Sequence, residues 1–122
     1  MLAAHIEWIL LLTGLATAGA LVVFLLPVPM IKILFGQAPS DVLSLAITRH
    51  WGLLIFLVGA LLIYAAYHPE CRFPTLIVAI VEKAVFALAM FISPFRRRTA
   101  VLAMALADAG MAAVYLMYLT GL

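Results

Sequence analysis

Glu82 and Lys83 stand side by side near the centre of an apolar run from Phe73 to Ile92, and Asp108 lies in the middle of the next apolar run. At the centre of a membrane-crossing helix each such charge costs roughly 2.5–3.5 kcal/mol on insertion scales. Charged groups persist there where they pair with one another, face a wet cavity or carry out chemistry. Two carboxylates and one ammonium can neutralise each other, hold a proton, or bind a polar headgroup or cation. Other chemistries find little support. His5, His50 and His68 lie far apart with no HxxxH-like spacing, so no metal site is expected. Cys71 is the only cysteine, which excludes an intrachain disulfide and a CxxC redox pair. The chain shows no Gly-rich phosphate loop, no Ser-His-Asp set and no basic-aromatic pattern for nucleic acid. Catalysis is therefore not expected, and nucleic acid is not an expected partner.

The elements that must position these charges follow from composition. Of 122 residues, 69% are hydrophobic and 10% charged, more apolar surface than a soluble domain of this length can hide. The reading is a single all-α domain, residues 1–122, folded as an integral membrane four-helix antiparallel bundle. Spans are expected at about 6–26, 46–67, 74–93 and 99–119, each near the roughly 20 residues a crossing needs. The first apolar stretch lacks a Lys/Arg-rich leader and continues apolar past Ala16–Ala20, so it reads as a retained helix. Pro27 and Pro29 stop that helix. The piece from Met30 to Gly36 is too short to cross and reads as an interfacial segment, with Lys32 reaching towards headgroups. Ser40 or Asp41 is the expected N-cap of the second helix. Short connections after the second and third helices imply antiparallel neighbours.

Charge sets the expected orientation. With four spans, Lys32, Arg49, Arg96, Arg97 and Arg98 fall on one side and Arg72 on the other, which places the first group in the cytoplasm and both termini outside. Arg96–Arg98 and Trp51 read as interface anchors, with anionic-lipid binding a secondary role for the arginines. Glu82 lies roughly 18 Å and Asp108 roughly 15 Å from the cytoplasmic ends of their helices, at 1.5 Å per residue. Antiparallel neighbours thus bring Glu82, Lys83 and Asp108 to nearly one depth. Glu82 and Lys83 differ by about 100° around the helix, so both cannot face one neighbour squarely.

The helix faces extend this cluster. In the second helix Arg49, Gly52, Phe56, Gly59, Ile63 and Ala66 form a seam of small residues that permits close approach, with Arg49 at one end of it. Glu7, Gly14 and Thr17 share a face of the first helix, and Asp108 shares one with Met104, Met111, Ala112 and Tyr115. One reading pairs Lys83 with Asp108, and Glu82 with Arg49 or a hydroxyl, as buried locks of helix register. The other is a polar cavity, lined by Glu82, Lys83, Asp108 and Arg49, that takes a small headgroup, a quinone ring or a cation. A third places the charges across protomers of a homo-oligomer.

The run Thr48-Arg49-His50-Trp51-Gly52-Leu53-Leu54 with Gly59, the Pro27–Gly36 segment ahead of it and the apolar helix entered after a Pro-bearing loop are together similar to small DoxX-like membrane proteins, over roughly residues 10–92. Arg49 and Gly52 are the positions the resemblance carries over. It implies a multi-pass protein of a bacterial cytoplasmic membrane with a link to quinone or to a membrane redox or assembly partner. Small multidrug transporters are similar in size but place an essential Glu in the middle of helix 1, where this chain has Gly14. The expected function is accordingly a non-catalytic accessory or binding protein for a lipid-like or quinone-like molecule. A proton-coupled transporter or channel, or a structural subunit of a membrane complex, are the alternatives.

Overall fold

A computed structural model of the chain describes residues 2–121, with side chains from residue 4. The protein is all-helical, 87% helix with no strand among the described residues. Six α-helices follow in order: α1 (Leu2–Ala18), α2 (Leu21–Leu25), α3 (Pro27–Phe35), α4 (Val42–Tyr67), α5 (Arg72–Phe91) and α6 (Thr99–Leu119). Single 3-10 turns at Pro69–Cys71 and Pro94–Arg97 lead into α5 and α6. Among the described residues four stretches are long and apolar enough to cross a membrane: Ala4–Leu25, Val42–Tyr67, Pro69–Phe91 and Thr99–Leu119.

The first apolar stretch departs from the expected single helix. It breaks at Gly19–Ala20, where the backbone switches to tighter bonds from Ala20 N to Thr17 O, Val22 N to Gly19 O and Val23 N to Ala20 O. Thr13 and Thr17 contribute to the break, because their hydroxyls donate back to Ile9 O at 2.6 Å and Thr13 O at 2.8 Å. Such back-bonding competes with the ladder and bends helices. The short helix that follows also starts earlier than expected. Pro27 rather than Met30 is its first residue, since a missing N–H and a fixed φ cost nothing at that position. It ends at Gly36, whose φ of 80° is the left-handed conformation glycine adopts freely. Asp41 caps α4, accepting from Ser44 N at 2.6 Å, and this bond holds its carboxyl below the ordinary aspartate range.

Packing is tightest along the glycine seam. A Cβ at Gly59 would collide with the backbone of Ala18, and one at Gly52 would lie 2.8 Å from Phe24 N. Small residues thus let α1 and α2 lie directly on α4. The other extensive contact is α5 on α6, and α4 joins the two pairs through α5. Ile6, Leu10, Leu62, Ala65, Leu76, Ala79 and Tyr115 make the buried core. Outward faces are apolar as well, with Leu12, Leu57, Val81, Val85, Leu88 and Leu106 all exposed. A bundle that is hydrophobic outside as well as inside is compatible with a multi-pass membrane protein.

Arginines tie down helix ends. Arg72 donates to Ala65 O at 2.9 Å and Ala66 O at 2.8 Å, satisfying carbonyls at the end of α4. Arg98 does the same for α3, donating to Leu34 O at 3.0 Å and Ile33 O at 3.1 Å.

Candidate functional site

Lys83 is the centre of the site. It projects from the middle of α5 and is only 1% exposed, so its charge must be matched within the protein. Its Nζ donates to Thr17 Oγ1 of α1 at 2.7 Å and to Asp108 Oδ1 of α6 at 3.4 Å. Glu82 Oε1 lies 3.8 Å from the same nitrogen. The turn between residues 82 and 83 puts Lys83 in the packed interior, whereas Glu82 sits at its edge. The Glu82 and Asp108 side chains keep 16% and 20% of their surface accessible.

The polar network continues along α1. Thr17 Oγ1 spends its hydrogen on Thr13 O and so meets Lys83 as an acceptor. Thr13 likewise donates to Ile9 O and accepts from the Tyr115 hydroxyl at 2.5 Å. Two threonines one turn apart therefore receive donors from α5 and α6. Neither threonine figured among the expected site residues. The available signal was their spacing of four on the face shared with Gly14.

A cavity of about 450 Å³ opens on this cluster. Thr17, Glu82, Lys83 and Asp108 form its polar part. Its walls are Ala16, Gly19, Ala20 and Val23 from the α1–α2 break, Met30 and Leu34 of α3, Trp51 and Ile55 of α4, and Phe86, Met104 and Met111. The helix break supplies the room, and α3 covers part of the space. Trp51 stacks on Phe86 with ring centroids 6.1 Å apart. The same two rings line a second cavity of about 470 Å³, bounded by the 37–40 turn, Ile31, Ile47 and Phe95. Trp51 and Phe86 thus line both cavities.

Arg49 does not join the cluster. It is exposed, and Lys83 occupies the place beside Glu82 that was expected for it. The physical reason lies in α2. That helix covers the seam at Gly52 and ends at Leu25, so one turn further along nothing buries the guanidinium. Glu7 is exposed too, leaving α1 to contribute hydroxyls and not a charge. Arg96 donates to Ser93 O at 3.0 Å and Arg97 is exposed, while Arg98 holds α3. Of the two positions carried by the DoxX-like resemblance, Gly52 is a packing contact and Arg49 is free of the site. No protein family, curated protein or solved structure matches this chain.

Proposed function

We propose that this chain is an antiparallel four-helix protein of the cell membrane, with both termini extracytoplasmic, that binds a lipid-like or quinone-like molecule without acting on it. The observation that carries the reading is the cavity at Lys83, which joins a buried polar cluster to walls of methionine, aromatic and small apolar side chains. Its size falls in the range of small-molecule pockets, and a few placed polar groups on an apolar surface suit an amphiphile. The antiparallel arrangement is supported by the order of contacts. Gly14 meets Gly59 and Ile63, whereas Ala20, Val23 and Phe24, later in the chain, meet the earlier Gly52. The resemblance to DoxX-like proteins adds a membrane redox or assembly partner, which the bound molecule would serve.

Native mass spectrometry of the protein extracted gently from its membrane tests this. The expected result is a bound species of lipid or quinone mass that is depleted in Met104→Trp, which fills the cavity. Release of bare protein, under conditions that leave lipid on a control membrane protein, overturns it.

A further inference from the structure

We propose that the occupant of this cavity presents a primary ammonium to Glu82 and Asp108, an inference that rests on the binding role proposed above and names the headgroup it selects. The argument is a count of donors and acceptors. Lys83 directs two of its three N–H bonds to Thr17 and Asp108, and the third has only Glu82 beside it, at 3.8 Å. The hydroxyl hydrogens of Thr13, Thr17 and Tyr115 are spent on Ile9 O, Thr13 O and Thr13 Oγ1. Apart from that third lysine N–H, the donors of the cluster are committed inside the protein. Its acceptors are not. Asp108 receives one hydrogen bond, at Oδ1, and the buried Glu82 Oε1 receives none.

Charge points the same way. With both carboxylates ionised, one ammonium stands against two negative charges, an imbalance that is expensive within the bundle and that a cationic occupant relieves. A carbonyl, carboxylate or phosphate headgroup finds only the one lysine N–H that stands beside Glu82 and, if anionic, adds to the imbalance, so that of the two proposed occupants the lipid-like one is favoured. A quaternary ammonium corrects the charge but carries no N–H for the carboxylates. A primary ammonium supplies both the charge and the hydrogens, and charge-assisted bonds of this kind are the strong ones. Its alkyl chain would lie along Val23, Met30, Ile55 and Met104 of the apolar wall.

Trp51, which lines the cavity, is a resident reporter once the exposed Trp8 is replaced. The Trp8→Phe protein in phosphatidylcholine nanodiscs is titrated with chain-brominated dodecylammonium, dodecyltrimethylammonium, dodecanol and dodecanoate, read by quenching of Trp51. Saturable quenching at least about tenfold tighter for dodecylammonium than for the other three is expected, given the worth of a charge-assisted hydrogen bond. Glu82→Gln should remove about tenfold of that preference, and Asp108→Asn is the second variant with the same expected loss. Equal binding of the alcohol, the carboxylate or the quaternary amine overturns the headgroup assignment while leaving a binding site for amphiphiles. Absence of saturable quenching by all four, with bare protein in the mass spectrum, overturns both.

Discussion

Lys83 holds three helices at one point, since its ammonium reaches Thr17 of α1, Asp108 of α6 and Glu82 of its own helix. Removing one partner of a buried ion pair leaves the other charge uncompensated, which costs more than the pair itself contributes. Lys83→Met is therefore expected to destabilise by about 3 kcal/mol, the low end of the range for such losses, because Asp108 remains partly accessible. Adding Asp108→Asn should recover at least half of that loss in thermal or steric-trapping unfolding. A double variant as unstable as the sum of the two singles would mean that the pair is not coupled. The Lys83–Asp108 pairing was readable from depth alone, as both residues sit near the middle of consecutive apolar runs. The threonine partner was not singled out, because hydropathy does not mark a hydroxyl in an apolar helix and only the spacing of Thr13 and Thr17 on the Gly14 face points to it.

At the scale of elements, the α1–α2 break and the glycine seam act together. The seam lets α1 press its backbone onto α4, and the break turns α2 so that Ala20, Val23 and Phe24 cover Gly52. Gly59 is the tightest point of that contact. Gly59→Val should force α1 away from α4 and cost about 1–3 kcal/mol, the usual range for overpacking. Unfolding of the variant beside Gly110→Ala checks it, since a Cβ at Gly110 meets nothing within 4 Å. A loss at Gly59 no larger than at Gly110 would remove the seam from the account. The small-residue pattern of α4 announced this face correctly from Gly52 to Ala66. It failed at Arg49, because the period of a helix says which way a residue points but not where the covering helix stops.

Considered as a whole molecule, the chain buries little of its apolar surface within itself. No more than 22% of any candidate crossing lies inside the bundle, so most of each helix needs an apolar surrounding. The proposed orientation places the 68–72 turn outside, and Cys71, the single cysteine, lies in that turn, partly accessible. A membrane-impermeant maleimide should label it in intact cells or right-side-out vesicles and leave it unlabelled in sealed inverted ones. The reverse pattern would invert the topology. Arg98 and Arg72, which bind carbonyls of α3 and α4, show that basic residues counted for orientation also serve as helix-end partners.

Composition and hydropathy by themselves determined the all-helical class, the four stretches apolar enough to cross a membrane and the charged residues at their centres. Those properties are local or additive, and a linear chain displays them directly. Tertiary structure alone decided that Glu82 sits at the edge of the cluster and Lys83 at its centre, that two threonines complete it, that Arg49 is left out, and that a helix break opens a cavity beside it. Each of these depends on which backbone lies next to which and where it ends. The opening pair Glu82–Lys83 thus owes its cost to the sequence and its use to the packing of α1, α5 and α6 around one ammonium.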